Sequence, residues 1–249
     1  MTVAPFELTG RTAVVTGGGR GLGRGISEGL LAAGARVVVL QRSAPPEDLV
    51  AGSGGRLTHY ATDLADQDGL QAVVERVLAE HRVDILVNNA GIQFRAPAEE
   101  FPLDRFDEVL AVNLRSVFRL SQEFGRPMLE RGSGKIVNIA SLLSFQGGVT
   151  VAAYAAGKGA VAQLTKALCN EWAGRGVNVN AVAPGYMDTE LNTALLADPD
   201  RSAAISARIP AGRWGAAADV AGAVVYLSSP AADYVHGVVL PVDGGWLAR

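Results

Sequence analysis

The sequence predicts a single α/β domain: a doubly wound, mostly parallel sheet of about seven strands, flanked by helices. Three observations carry that reading. Short β-branched runs alternate with longer helical patterns from end to end. The runs are apolar almost throughout, as strands covered on both faces must be. A chain of 249 residues can also bury about three quarters of its unfolded surface in one core, so no second domain is needed.

In chain order, residues 12–16 form the first strand and the apolar spacing of 22–33 the first helix. A strand at 36–40 follows, then a loop at 43–55 rich in Pro, Gly and Ser, then a strand at 57–61. The pattern continues with a helix at 66–80, a strand at 84–88, one long helix at 104–130 and a strand at 135–140. A helix at 152–173 and a strand at 177–181 come next. Residues 186–210 interrupt the rhythm and read as a mobile loop, a candidate lid over the substrate. A helix at 217–227 and a strand at 238–241 close the fold. In such a sheet the ligand crevice lies beyond the carboxyl ends of the strands.

Charge and composition exclude several classes. Lys and Arg number 22 against 25 Asp and Glu, a net charge of −3, so the overall field does not favour nucleic acid. The single cysteine, Cys169, cannot form an intrachain disulfide, and His59, His81 and His236 are too scattered for a metal cluster. No metal is expected. The first ten residues lack a basic segment leading into an apolar one, and no stretch of about 18 uncharged apolar residues occurs. The expectation is a soluble cytoplasmic protein with no membrane partner.

After the first strand comes Thr16-Gly17-Gly18-Gly19-Arg20-Gly21-Leu22-Gly23, leading into a helix whose free N–H groups can hold a pyrophosphate. The spacing is Gly17-x-x-x-Gly21-x-Gly23 rather than G-x-G-x-x-G, and such a turn can equally well just join strand to helix. The fourth strand ends in Asn88-Asn89-Ala90-Gly91, which an ordinary turn would also explain. Asp63, after the third strand, reads equally as a helix cap.

Tyr154 and Lys158 are four residues apart on a predicted helix and share a face. Ser141 ends the fifth strand thirteen residues before Tyr154, so strand end and helix start bring the three to one crevice. Carbonyl reduction by hydride needs a proton donor at the oxygen, and the reverse reaction needs a base there. A lysine ammonium about 4–5 Å from a phenol, at an effective dielectric near 20, favours phenolate by nearly three pKa units before burial opposes it. Asn113 lies in an apolar helical stretch, where an amide requires a partner if buried; a satisfied core asparagine is the plain alternative.

Together, residues 16–23, Asn88 to Gly91, Tyr154-x-x-x-Lys158 and Pro184-Gly185 resemble the short-chain dehydrogenase/reductase family along the whole chain. The resemblance implies a Rossmann-type fold, NAD(P) as cofactor, and a 222 homotetramer. It implies that Gly17, Gly21, Leu22 and Gly23 line the diphosphate, Asp63 and Leu64 the adenine, Asn89, Ala90 and Gly91 the adenosine side, and Pro184, Gly185 and Thr189 the nicotinamide. It further implies that Lys158 binds the nicotinamide ribose, Ser141 the substrate oxygen, and that the Asn113 backbone holds a relay water. Where NAD enzymes place an acid this chain has Gln41; Arg42 beside it, and Arg20 in the glycine loop, can pair with a 2′-phosphate, which favours NADP. Both arginines also read as plain surface charges.

Residues 141–148, 208–215 and 242–249 are similar to the bacterial sugar-acid branch of that family, the 2-dehydro-3-deoxy-D-gluconate 5-dehydrogenases, also named 2-deoxy-D-gluconate 3-dehydrogenases. That branch implies a secondary alcohol–ketone interconversion on a sugar acid, and NAD. Arg95, Gln146 and Tyr186 are the candidate substrate contacts, with Arg95 facing a carboxylate. Asp188 and Glu190 depart from the branch and would repel one. A 3-oxoacyl thioester or other carbonyl substrate, and a non-catalytic dinucleotide-binding redox sensor, remain the alternatives.

Overall fold

The computed structural model describes residues 5–249. Residues 1–4 of the segment expected to carry no leader lie outside that range. Seven strands form one all-parallel sheet: β1 (Thr12–Thr16), β2 (Arg36–Gln41), β3 (Leu57–Ala61), β4 (Ile85–Asn88), β5 (Gly134–Ile139), β6 (Val177–Pro184) and β7 (Val239–Val242). Their order is β3-β2-β1-β4-β5-β6-β7. Every residue of β1, β4 and β6 is buried, which is why these runs lack polar alternation, whereas the edge strand β3 is largely accessible and more polar.

Helices cover both faces. On one side α1 (Gly21–Ala32) packs against α9 (Ala217–Ser228), with Ile26, Leu30, Val220 and Val224 in a shared core. A Cβ at Gly25 would come within 2.6 Å of Ala217 Cβ, so the absent side chain lets the two helices approach closely. On the other side α3 (Gln67–Glu80), α5 (Ser116–Arg131) and α6 (Ala152–Trp172) contribute Leu70, Val74, Phe124, Met128 and Leu168 to the second core. The chain direction across the sheet reverses between β1 and β4, which opens the crevice at their carboxyl ends.

Three expectations change. The long helix at 104–130 is α4 (Leu103–Leu110) and α5, joined by one wide π turn at Ala111–Arg115. The cause is Asn113, whose amide turns to the backbone of Ile92 while the Ser116 hydroxyl donates to the Val112 carbonyl at 2.6 Å. The loop at 43–55 contains a helix, α2 (Glu47–Gly52), whose Asp48 is bound by Arg24 at 2.6 Å. Residues 186–210 contain α7 (Thr193–Leu196) and α8 (Pro199–Arg208). Asp198 caps α8 by accepting from Arg201 N–H at 3.1 Å, and Pro199 fits the first turn, a start signal hidden by polar composition.

Candidate active site

The glycine loop is shaped by contacts that tolerate no side chain. A Cβ at Gly23 would overlap the Gly17 carbonyl and come 2.5 Å from Asn89 Nδ2. Gly17 adopts a left-handed backbone with φ +64°, and Ser27 Oγ donates to the Gly18 carbonyl at 2.9 Å. Thr16, which ends β1, accepts from both Asn89 N–H and Ala90 N–H at 2.9 Å through its hydroxyl. Asn89 Nδ2 returns a bond to the Thr16 carbonyl at 2.9 Å. The turn reading of Asn89-Ala90-Gly91 therefore gives way to a stitch that fixes the ends of β1 and β4 on either side of the crevice.

Gln41 ends β2 with its amide fully engaged: Oε1 accepts from Gly19 N–H and Nε2 donates to the Ser43 carbonyl, each at 2.7 Å. Arg42 and Arg20 are not free cations. Arg42 lies 3.9 Å from Asp63 and Arg20 3.9 Å from Glu190, all four side chains being largely exposed. Such loose pairs are worth under about 1 kcal/mol. Glu190 thus meets an arginine of the glycine loop. Asp63 accepts from Ala65 N–H at 3.0 Å, and the cap of α3 is Asp66 instead.

On the other side of the crevice, Ser141 follows β5 and its hydroxyl accepts from Leu143 N–H at 3.1 Å. Ser144 Oγ donates to the Lys158 carbonyl at 2.6 Å, tying the Ser141 loop to α6. Lys158 is 4 % exposed; its ammonium donates to the Ile139 carbonyl at 2.5 Å and lies 5.6 Å from the Tyr154 ring centroid. Burial pushes its pKa down to about 8. Burial also raises the Tyr154 phenol above its ordinary value, with the Ser141 side chain acting in the opposite direction. Desolvation of the phenolate, rather than the nearby ammonium, sets the direction of the shift.

Asn113 is fully buried, and its side chain serves Ile92: Oδ1 accepts from the Ile92 N–H and Nδ2 donates to the Ile92 carbonyl, both at 2.9 Å. A Cβ on Gly91 would lie 3.4 Å from Asn113 Oδ1 and 3.9 Å from Lys158 Nζ, so that small residue separates the two. Gly185 donates to the Val242 carbonyl at 2.9 Å, and a Cβ there would press within 2.6 Å of Asp243 Cα. Tyr186 packs on Trp246, with ring centroids 4.7 Å apart.

A cavity of about 1430 Å³ joins these parts. Every site residue expected from the sequence lines it except Asn113, which stands behind the wall. The volume exceeds that of a pocket for one drug-sized ligand and leaves room for a dinucleotide beside a small substrate. Lining residues that the sequence reading had not assigned include Met187, Arg201, Ile205, Arg208 and Trp246. The segments holding Arg208 and Trp246 were visible as motifs, but nothing in their spacing predicts that α8 returns over the crevice. Among the described residues no cluster of three or more His, Cys, Asp or Glu could hold a metal, and no helix is long and apolar enough to cross a membrane.

The glycine cradle, the stitched strand ends and the Ser141, Tyr154, Lys158 group define a nucleotide-dependent oxidoreductase. A family model described as enoyl-(acyl carrier protein) reductase matches residues 17–247, and the chain belongs to the short-chain dehydrogenase/reductase family. It is an NAD(P)-dependent enzyme of that family. The chain is 52% identical to the 2-dehydro-3-deoxy-D-gluconate 5-dehydrogenase of Pseudoalteromonas atlantica over 98% of both chains. A Beutenbergia cavernae structure with bound NADP, provisionally named an NAD(P)-dependent gluconate 5-dehydrogenase, is 56% identical, with TM-score 0.94 over 99% of this chain and 100% of that one. A gluconate 5-dehydrogenase from Burkholderia cenocepacia, in complex with NADP and tartrate, is 42% identical, with TM-score 0.93 over 98% of each chain.

Proposed function

We propose that the chain interconverts the C5 hydroxyl and ketone of a six-carbon sugar acid, such as 2-dehydro-3-deoxy-D-gluconate, using NADP. The observation that carries this reading is one cavity joining the glycine cradle to Ser141, Tyr154 and Lys158. The names of the Pseudoalteromonas and Burkholderia relatives, and the NADP held by the Burkholderia enzyme, support it. Gln41 in place of an acid, with Arg42 and Arg20 beside the nucleotide end, supports NADP. The intact Ser141, Tyr154 and Lys158 group speaks against a redox sensor, which has no chemical use for Tyr154.

The cradle fits a dinucleotide: Gly17, Gly21 and Gly23 line the cavity with bare backbone, Gly23 packs too closely on the Gly17 carbonyl for any side chain, and α1 begins there with its N–H groups. Gly17, Gly21, Leu22 and Gly23 would hold the diphosphate, Asp63 and Leu64 the adenine, and Pro184, Gly185 and Thr189 the nicotinamide. Bound there, the nicotinamide supplies the hydride acceptor or donor. In reduction the Tyr154 phenol, protonated at neutral pH, donates the proton to the substrate oxygen. In oxidation the same oxygen takes the proton, while Ser141 orients the substrate oxygen. Lys158 would hold the nicotinamide ribose, and the backbone of Asn113, in the π turn, would hold a water that relays protons to Lys158.

The segment 186–210 acts as the substrate lid, with α7 and α8 carrying Leu195, Arg201, Ile205 and Arg208 to the cavity wall. Assembly is a homotetramer. At the chain ending Trp246 is 4 % exposed and already covered by Tyr186 of the same chain, whereas Val239, Leu240 and Val242 of β7 are only half-buried. The supporting feature is a groove along α4, the π turn, α5 and α6, with Leu110, Ala111, Leu114, Phe118 and Leu164 in its lining beside the charged Asp104, Asp107, Glu108 and Arg115, which a second copy would cover. Light scattering is expected near four times 25.8 kDa; a monomer mass rejects it. The compartment is the reducing cytoplasm, consistent with a lone, buried Cys169.

The test is a panel of sugar acids and 3-oxoacyl thioesters read by NADPH absorbance. Turnover of gluconate-type acids and inactivity towards the thioesters is expected. Activity confined to the thioesters rejects the sugar-acid reading.

A further inference from the structure

We infer that Arg208, in the last turn of α8, seats the carboxylate of the substrate; the inference rests on the sugar-acid reading above. A substrate reacting at C5 carries its C1 carboxylate four carbon–carbon bonds away, about 5 Å along the chain. The cation that reads it must therefore stand outward from Ser141 and Tyr154, on the lid side of the cavity. Arg208 is a cation of the 186–210 segment that lines the same cavity as Ser141 and Tyr154. Its guanidinium lies 4.1 Å above the centroid of the Trp246 ring, and both residues line the cavity. Trp246 is 4 % exposed and donates through Nε1 to Gln146 Oε1 at 3.4 Å. Gln146 lies on the loop that begins at Ser141. One chain of contacts thus runs from the Ser141 loop through Gln146 and Trp246 to Arg208.

Stacking on an indole desolvates one face of a guanidinium and fixes its plane, while its in-plane N–H groups stay available for a two-point bond to a carboxylate. The platform is itself immobile. Trp246 is packed with Leu142 and Ile209, and with Tyr186, Ile205, Trp214 and Leu247. Among the described residues no carboxylate pairs with Arg208; thirteen ion pairs are present and none includes it.

The other arginines of the cavity are less suited. Arg20 and Arg42 stand at the nucleotide end beside Glu190 and Asp63. Arg95, the sequence candidate, offers its Nε and Nη2 edge to the Gln93 side-chain oxygen at 2.7 and 2.9 Å when that amide is oriented to satisfy both groups. The edge best suited to a carboxylate is therefore occupied. Arg201, two turns earlier on α8, stacks on no aromatic ring among the described residues. Glu190, expected to repel a substrate carboxylate, is directed to Arg20 instead.

The experiment compares wild type, Arg208→Gln, Arg208→Lys and Arg95→Gln with D-gluconate at saturating NADP, alongside a fluorescence titration of NADP binding. Arg208→Gln should raise KM about ten- to a hundredfold, the range of charge-assisted hydrogen bonds, with kcat within about threefold and NADP affinity within about twofold. Arg208→Lys, which keeps the charge and loses the fork, should fall between the two. Arg95→Gln should change KM by less than about threefold. An unchanged KM in Arg208→Gln overturns the assignment, as does the larger loss in Arg95→Gln. A KM rise matched by lost NADP affinity marks a collapse of the lid and also overturns it. If wild type turns over neither D-gluconate nor any other sugar acid of the panel, the function proposed above falls rather than the role of Arg208 within it.

Discussion

Replacing Asn113 by alanine separates the two readings of that residue, because its side chain and its backbone do different work. The amide makes two bonds at 2.9 Å to the N–H and carbonyl of Ile92, and the residue is fully buried. Asn113→Ala leaves one donor and one acceptor unpaired, at about 1–3 kcal/mol each. Ile92 is only half-buried, so water relieves part of this and the lower part of the range applies, about 2–4 kcal/mol for the pair. Alanine regains about 0.5 kcal/mol of helix propensity. The net loss is about 2–3 kcal/mol, or some 5–10 °C in Tm for a chain of this size. A thermal melt followed by circular dichroism reads it directly. NADP affinity should weaken alongside, because Ala90 and Gly91 of the cavity wall immediately precede Ile92. A Tm change under about 2 °C would refute the argument that this amide pins the loop after β4.

Tyr154→Phe should remove turnover and leave NADP affinity nearly unchanged; a rate within about tenfold of wild type, a barrier change of only 1.4 kcal/mol, contradicts the proton-donor role. Arg42→Ala should weaken NADP about tenfold and leave NAD alone, while Gln41→Asp should move preference towards NAD; equal losses for both cofactors in Arg42→Ala sink the phosphate reading. Gly23→Ala forces its methyl into the Gly17 carbonyl and should abolish NADP binding in a fluorescence titration, whereas retained binding would show that the loop can open. Lys158→Met should stabilise the nucleotide-free protein at pH 7. Burial holds Lys158 near pKa 8 against an ordinary 10.5, so between these values the folded chain binds fewer protons than the unfolded one and stability rises with pH. Below pH 8 the buried ammonium costs up to about 3 kcal/mol, offset by about 1 kcal/mol for its bond to the Ile139 carbonyl. Urea midpoints should show a gain near 2 kcal/mol at pH 7 that vanishes by pH 10.5, and a loss at pH 7 reverses the reasoning.

The strand positions were legible because a sheet covered on both faces demands uninterrupted apolar runs, and β1, β2 and β3 end within a residue of where the pattern places them. The glycine loop and the Tyr154, Lys158 spacing were equally visible, since each follows from local geometry. What stayed hidden depends on contacts distant in sequence. The wide turn at Asn113 is made by Ile92, 21 residues away, and the helices of 186–210 begin from a cap and a proline inside a stretch whose polarity resembles a loop. The partners of Arg42 and Arg20 come from the ends of other elements. The direction in which the Tyr154 pKa moves was hidden too, because charge spacing can be read from a helix while the depth of burial cannot.

The reversal of strand order at β1 and β4 also bears on how such a protein changes over generations. Gln41 and Arg42, at the end of β2, lie on one side of that seam, whereas Ser141, Tyr154, Lys158 and the 186–210 segment lie on the other. Mutations that exchange one dinucleotide for another are thereby insulated from those that alter which alcohol is oxidised. A lineage can retune its redox currency while keeping its fuel, or adopt a new fuel while keeping its currency. Among the described ion pairs of the crevice, Arg20 with Glu190 alone joins the glycine loop to the 186–210 segment, so it is the place where the two kinds of adaptation would interfere.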